Sequence, residues 1–384
     1  MGENVLVTGG AGFIGSHLVD KLREQGANVR VLDNLESQVH GDLASIGQWP
    51  GYCDNDAEYI LGDVRNSDVL RKVLADIDVV FHFAAMVGVG QSMYEVHRYT
   101  DVNVNGTAVL LDILANDKKI CSRVRKLVVA SSMSNYGEGE YICPVHGHVY
   151  PQPRQISQLS RHQWELYCPE MVNSHPCNEP LKPIATRETK PLHATSIYAV
   201  TKKTQEEMCL TLGQAYGIST VALRFFNTYG TRQALSNPYT GVAAIFSSRL
   251  LNKKSPIIFE DGYQMRDFVH VSDIVQANLI AMKSTTESGV YNVGSGKPRT
   301  ILEVAQTLAA HLDVVNSPNI NQQYRVGDIR HCFADITKIQ ALGYHPQRSF
   351  VEGIIELVNW VRDQQPEDLL DQATTSLRKR GLAI

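Results

Sequence analysis

The chain has 384 residues, with 36 Lys and Arg against 40 Asp and Glu for a formal net charge of −4. That balance supplies no electrostatic footprint for nucleic acid, and a hydrophobic content of 43% is ample for an internal core. No apolar run has the length of a membrane span, the first apolar segment starts too early for a signal peptide, and seven scattered cysteines suit a reducing compartment. The expectation is a cytoplasmic protein without a membrane or nucleic-acid partner.

The first element is the apolar run Val5 to Val7, short enough for a buried parallel strand. It meets Gly9, Gly12 and Gly15, and a helical pattern follows at once. A loop without Cβ atoms lets a pyrophosphate come close to the backbone, and the helix start supplies N–H donors and positive dipole. Gly9, Gly12, Phe13, Ile14 and Gly15 therefore read as a dinucleotide seat, with a purely structural turn as the alternative. A second strand, Asn28 to Leu32, ends at Asp33, eighteen positions after Gly15. A carboxylate there accepts hydrogen bonds from both adenosine ribose hydroxyls and repels a 2′-phosphate, which favours NAD over NADP. Asn34 opens a polar, irregular piece running to Asn55 that would wrap the adenosine edge.

A third strand over 58–61 leads to Asp63 and Val64. Asp63 is placed either to reach the adenine amino group or to cap the next helix. The fourth strand, from Asp78, carries His82, read as a satisfied core residue, and Ala84, small enough to let the backbone lie against a cofactor. A long helix is expected over 95–114, with Asn103 inside it. The fifth strand, Lys126 to Ala130, runs into Ser131, Ser132, Met133 and Ser134. From about 138 to 192 the pattern breaks into a stretch rich in Pro, His and Cys, and helical spacing resumes at Ser196 before a sixth strand, Thr220 to Phe225. The alternation argues for an α/β fold built on a doubly wound parallel sheet. The expected division is a dinucleotide-binding Rossmann domain over 1–230, with an irregular insertion at about 138–192, and a smaller substrate lobe over 231–384. The chain is expected to return to the sheet around 266–275. The last twenty residues read as a helix or a frayed tail.

Tyr198 and Lys202 stand four residues apart on a helix and so share a face. An ammonium beside the phenol, with a positive nicotinamide ring nearby, favours phenolate and is expected to draw the tyrosine pKa down from about 10. Tyr198 becomes a usable base. Ser132, at the end of the fifth strand, is placed to hydrogen-bond the same substrate hydroxyl, and Ser134 to contact substrate.

Gly9, Gly12 and Gly15, Asp33, Gly62-Asp63, Asn103, Ser132 with Tyr136-Gly137, Tyr198 and Lys202, Arg224 to Asn227 and Arg266 to His270 together resemble an extended short-chain dehydrogenase/reductase of the nucleotide-sugar epimerase/dehydratase family. The resemblance covers about residues 4 to 340. It implies tightly held NAD bound by the glycine seat, Asp33, Asn34, Asp63, Val64, Ala84, Asn103, Tyr198, Lys202 and Phe225. It also implies a nucleotide sugar under the second lobe, touched by Ser92, Ser132, Ser134, Tyr198 and Asn227. Arg266, Arg325 and Asp328 match positions for the diphosphate and the nucleoside ribose, although either arginine equally reads as a surface ion pair. A homodimer through the helices at 95–114 and 198–217 is implied as well.

Dehydratases of this family carry an acidic pair directly after the catalytic Ser or Thr, and decarboxylating members keep a Glu near it. Here Met133-Ser134 offers no carboxylate, which fits a 4-epimerase passing through a 4-keto sugar. Val87 stands where galactose epimerases of the family have a Lys, so the pocket is less polar, as suits a 6-deoxy sugar. Met86 to Met93 and the insertion most resemble dTDP-L-rhamnose 4-epimerases. UDP-hexose or UDP-uronate 4-epimerases, and a nucleotide-sugar 4-ketoreductase, are the alternatives. A cofactor-binding scaffold without catalysis would tend to lack the tyrosine or the lysine.

The insertion holds Cys143, His146, His148, Cys168, His175 and Cys177. Two Cys/His pairs about twenty residues apart resemble a zinc ribbon, and a metal would explain how such a segment stays folded. Cys168-Pro-Glu-Met171 lacks the second cysteine of a C-x-x-C pair, so His175 or Cys177 must substitute. The expected set is Cys143, His146, Cys168 and Cys177 around a structural zinc, with unpaired thiols as the alternative.

Overall fold

The computed structural model describes residues 2–284, 288–314 and 317–384. Its largest sheet takes seven strands: β1 (Asn4–Thr8), β2 (Asn28–Asp33), β3 (Glu58–Leu61), β4 (Val79–His82), β5 (Lys126–Ser132), β6 (Ser219–Phe225) and β7 (Gly289–Val293). They lie in the order β7-β6-β5-β4-β1-β2-β3, and every pairing is parallel. Parallel strands carry helices on both faces, which is why these segments read as continuous apolar runs and not as alternation. In β1, Val5 and Val7 pack with Leu18 and Leu22 of the helix Phe13–Glu24 and with Ile274 of the helix Val271–Lys283. Leu6 packs on the opposite side with Leu70, Leu110 and Leu114. Strand order reverses between β1 and β4, and the crevice beyond those strand ends is where folds of this kind bind dinucleotides.

The stretch expected to return to this sheet, 266–275, is divided. Met265–His270 belongs to a small separate sheet with Asn227–Tyr229, Pro298–Thr300 and His331–Cys332. The helix Val271–Lys283 packs on the large sheet, and the strand that joins it is β7. The charged residues Arg266 and Asp267 hide this from sequence, because this short strand, although central in its small sheet, has no uniform apolar pattern.

The smaller lobe gathers Tyr229, Phe246, Leu250, Phe268, Val304, Leu308, Ile354 and Leu357 into its own core. Two of its helices start with reciprocal capping boxes, Thr300 with Glu303 and Ser349 with Glu352. The chain ends in the helix Leu370–Lys379, and Leu382 and Ile384 then pair with Val326 and Tyr324 through backbone hydrogen bonds.

The helix expected over 95–114 is interrupted. Val96–Tyr99 and Gly106–Asn116 are α-helical, and Thr100–Asn105 between them is a π-helical turn. The insertion is also more regular than expected: Glu140–Cys143, Gly147–Val149 and Lys182–Ile184 form an antiparallel sheet over a small core with Tyr141, Val149, Leu166 and Leu181. Its strands are too short to carry a periodic signal.

Candidate active site

The glycines do what their spacing implies. Gly9 takes φ +71, and a Cβ on it would lie 2.8 Å from the Ala84 nitrogen; a Cβ on Gly15 would lie 2.2 Å from the Gly9 carbonyl oxygen. Turn, helix and β4 approach one another only because those side chains are absent. Gly12 is the N-cap of the helix Phe13–Glu24, without a side-chain cap and without an acidic residue in the first turn. Its first N–H groups are thus left to an anion in the crevice.

Asp33 ends β2 beside this turn. Its carboxylate accepts from Ala11 N at 3.0 Å and Leu35 N at 2.9 Å, so it also braces the glycine loop. Burial pushes its pKa up, and these backbone donors oppose the shift. Asp63 is not a helix cap: Asn66 caps the helix Ser67–Val73. Asp63 instead pairs with the Arg65 guanidinium, which holds its carboxyl below the usual range, and accepts from Asn34.

A cleft of about 630 Å³ opens from this turn across the strand ends to the smaller lobe. Gly9, Gly12, Phe13, Ile14, Gly15, Asp33, Asn34, Asp63, Val64, Ala84, Phe225, Ser132, Ser134, Tyr198, Lys202, Asn227, Arg266, Arg325 and Asp328 all line it. Two expected site residues lie outside the lining. Asn103 is fully buried in the π turn, where it accepts from Met86 N, donates to Met86 O and donates to Thr201 Oγ1. Ser92 is likewise buried; it donates to Val89 O and accepts from Tyr198 N. Both hold site elements from behind.

Ser132 is the last residue of β5, and Tyr198 and Lys202 come from the helix Ile197–Tyr216, which Ser196 caps by accepting from Ala199 N. Ser132 lies beside the Tyr198 phenol, and Ser132 Oγ accepts from Ser134 Oγ at 2.9 Å. Contrary to the expectation, the phenol pKa is pushed up, to about 12, by its enclosure, with only the Ser132 contact opposing. The Lys202 ammonium is engaged elsewhere, donating to Gln205 Oε1 at 2.9 Å, and burial draws its pKa down to about 8.

Behind Lys202 runs a buried polar chain that sequence reasoning missed apart from placing His82 in the core. Thr8 Oγ1 accepts from Phe83 N and Ala84 N, so its hydroxyl proton is directed to His82 Nδ1 at 2.9 Å. The imidazole then keeps its proton on Nε2, donated to Thr107 Oγ1 at 2.9 Å, and burial keeps the ring neutral with a pKa near 3. Thr107 Oγ1 also accepts from Gln205 Nε2 and donates to Asn103 O. The Thr8, His82 and Thr107 protons each have an acceptor, and Lys202 is tied through Gln205 to β1 and β4.

On the far wall, Asn227 Oδ1, Gln233 Oε1 and Gln264 Oε1 are buried and lack hydrogen-bond partners among the described residues. All three residues line the cleft, which leaves acceptors for hydroxyl or N–H groups of a ligand. Arg266 donates to the carbonyls of Met265, Ile329 and Arg330, and Arg325 pairs with Asp328 and stacks on Phe259. Leu370, Ala373, Thr374 and Leu377 of the C-terminal helix complete the wall, with no motif in the sequence to announce them.

A glycine turn and a strand-end acid facing a Ser/Tyr/Lys group across one cleft define an oxidoreductase-type site for a hydroxyl-bearing carbon. The chain belongs to the NAD dependent epimerase/dehydratase family, whose model matches residues 5–178 and 176–294. It is 34% identical over 367 residues to a dTDP-L-rhamnose 4-epimerase of Burkholderia thailandensis, covering 94% of this chain and 96% of that protein. It is 33% identical to a putative UDP-glucose 4-epimerase of Methanocaldococcus jannaschii, covering 94% and 98%. Among solved structures it is similar to a UDP-glucose 4-epimerase of Thermus thermophilus in complex with NAD, with a TM-score of 0.71, 28% identity and coverage of 94% and 100%. A UDP-glucuronic acid 4-epimerase of Bacillus cereus, in complex with UDP-glucuronic acid and NAD, aligns with a TM-score of 0.72 at 26% identity, covering 94% and 99%.

Proposed function

We propose that this chain is an NAD-dependent 4-epimerase of a nucleotide-activated 6-deoxyhexose, interconverting dTDP-L-rhamnose and dTDP-6-deoxy-L-talose. The observation that carries the reading is the convergence of Ser132, Tyr198 and Lys202 at the end of β5, facing the glycine turn across one cleft, with Met133 and Ser134 in place of an acidic pair. Without an added acid and base the site can do proton chemistry at one hydroxyl, which suits oxidation and re-reduction of a single carbon.

NAD, when bound at the turn and Asp33, supplies the hydride acceptor and donor for C4, and its positive ring favours the phenolate. Tyr198 takes the proton of the sugar O4 and later returns it. Ser132, beside the phenol, orients that hydroxyl. Lys202, held by Gln205, sits as a buried cation on the same helix face. The cleft would leave a 4-ketose room to turn, so that Tyr198 could return the proton after hydride is delivered to the opposite face.

The exposed Val87 on the cleft rim and the apolar Leu370, Ala373 and Leu377 support a sugar without a 6-hydroxyl. The second reading is a UDP-hexose or UDP-uronate 4-epimerase, favoured by the UDP-sugar names of the other relatives. A 4-ketoreductase dependent on NADPH is disfavoured by the Asp33 carboxylate. We place the protein in the cytoplasm: its seven cysteines are free, and no described helix is long and apolar enough to cross a membrane. A homodimer through the helices at 95–114 and 198–217 is supported by the exposed Val96 and Val200. The zinc suggested by the insertion would be structural, since Cys143, His146, Cys168 and Cys177 lie outside the cleft lining.

A panel of dTDP- and UDP-hexoses, with C4 configuration read by NMR, tests the assignment. Turnover of dTDP-L-rhamnose is expected; turnover confined to UDP-sugars would move the chain to the second reading. Net consumption of NADPH with one-way reduction would remove both.

A further inference from the structure

Four side chains of the insertion converge far from the cleft. Cys143 ends the strand Glu140–Cys143, His146 lies in the turn that follows, and Cys168 and Cys177 flank the hairpin of Met171–Val172 with His175–Pro176. Cys143 Sγ is 3.8 Å from Cys177 Sγ and 3.7 Å from His146 Nδ1, and Cys168 Sγ is 3.4 Å from His146 Nδ1. All four ligand atoms lie within 4.8 Å of one another. A tetrahedral ion with Zn–S of about 2.3 Å and Zn–N of about 2.0 Å sets its ligand atoms roughly 3.5–3.8 Å apart. The three separations of 3.4, 3.7 and 3.8 Å are close to that cage, and the other pairs lie within 4.8 Å. Val145 N also donates to Cys143 Sγ at 3.4 Å, an outer hydrogen bond of the kind that orients a thiolate ligand. Three thiolates and one imidazole form the donor set of a closed structural zinc site. The other three histidines of the insertion are engaged elsewhere: His148 with Glu140 and Arg187, His162 stacked on Trp164, and His175 with Asn173 O.

The same segment buttresses the cleft. Glu165, three residues before Cys168, accepts from Arg330 Nε and pairs with His331. Glu138 accepts from Arg330 N at 2.7 Å, and from the hydroxyl of Tyr141, which shares the small core with Cys143 and Cys168. Arg154 pairs with Glu260 and donates to Asp328 O. The carbonyls of Ile329 and Arg330, fixed in this way, are the ones that hold the Arg266 guanidinium in the cleft wall.

We propose that Cys143, His146, Cys168 and Cys177 bind one zinc ion, and that this knot positions the cleft wall carrying Arg266 and Asp328 for the substrate. The metal site stands on geometry alone; its kinetic consequence rests on the epimerase reading.

The test is elemental analysis of the full chain purified without chelator from zinc-supplemented medium, together with the spectrum of protein grown in cobalt. About one zinc per chain is expected, with thiolate-to-cobalt charge transfer and tetrahedral d–d bands on substitution. Cys143→Ser and Cys177→Ser should lose the metal, whereas His175→Ala should keep it. In Cys177→Ser that still retains its dinucleotide, KM for the nucleotide sugar should rise by about tenfold or more while kcat changes little, because a displaced wall weakens binding and leaves Tyr198 in place. Wild-type protein with zinc well below one per chain and no cobalt bands would overturn the site, and these readouts hold even if the variants do not fold. Loss of zinc with KM unchanged would overturn the positioning role. A zinc-loaded chain that epimerises no sugar would support the site and count against the epimerase reading.

Discussion

Lys202 shows how a single side chain can be costly to the fold and necessary to the site. Its ammonium is buried, with one neutral partner in Gln205, and its pKa falls to about 8. The unfolded chain keeps that proton up to the ordinary lysine range near 10.4, so between about 8 and 10.4 the unfolded state binds more protons and stability rises with pH. The cost is fully present below about 8 and fades above it. Lys202→Met should therefore lose activity, while the wild type gains stability relative to it as pH is raised from 7 to 10. Thermal unfolding of the two proteins at both pH values checks this; a constant difference would show that Lys202 is not held as a depressed buried cation. Tyr198 carries the complementary lesson. Spacing put Tyr198 and Lys202 on one helix face, and their place after the glycine loop and the serine-bearing fifth strand made the pair legible. The direction of the phenol shift was not legible, because it is set by how completely tertiary packing encloses the ring.

At the level of elements, the π turn Thr100–Asn105 is the joint between three pieces of the site. Asn103 ties it to Met86 after β4 and to Thr201 on the helix bearing Tyr198. Replacing Asn103 by Ala leaves the Met86 N–H and C=O unpaired in a buried setting. The expected cost is about 1–3 kcal/mol, with weakened retention of NAD. Urea unfolding and the dinucleotide content of purified protein measure both, and an unchanged NAD content would deny the joint its role. The glycine turn, the strand that precedes it and Asp33 were readable because each is dictated by local chemistry: absent Cβ atoms, an apolar run and an acid at a strand end. Asn103 and Ser92, expected at the cofactor and the substrate, make their hydrogen bonds to Met86, Thr201, Val89 and Tyr198. Whether a polar side chain faces a ligand or the element behind it is set by tertiary packing. The insertion's strands and the division of 266–275 were hidden for the same reason, since two- to six-residue strands between lobes bury no regular stripe.

Across the whole molecule, the insertion and the smaller lobe meet in a buried lattice of charge. Arg154 and Arg330 are almost wholly enclosed, and Glu260, also buried, pairs with both. Removing that carboxylate takes the close ion-pair partner from buried Arg154 and one of three carboxylates from Arg330, so Glu260→Ala should destabilise the protein by about 3–5 kcal/mol, measured by denaturant unfolding. A loss under about 1 kcal/mol would mean that Asp261 and Glu165, which also reach Arg330, carry the lattice. Nothing in the sequence pairs these residues, which lie up to 192 positions apart when Glu138 and Arg330 are included. The lattice gives the cleft a rigid far wall while the sheet ends give it a rigid floor, and between them one sugar carbon is to be oxidised and restored with opposite configuration. The most direct measurement of that claim uses dTDP-L-rhamnose and UDP-glucose deuterated at C4. The account predicts that the epimer formed keeps its deuterium at C4, with none released to water and none gained from it, and that Tyr198→Phe abolishes the conversion. Loss of the label to solvent during epimerisation would contradict hydride transfer within the cleft and with it the account.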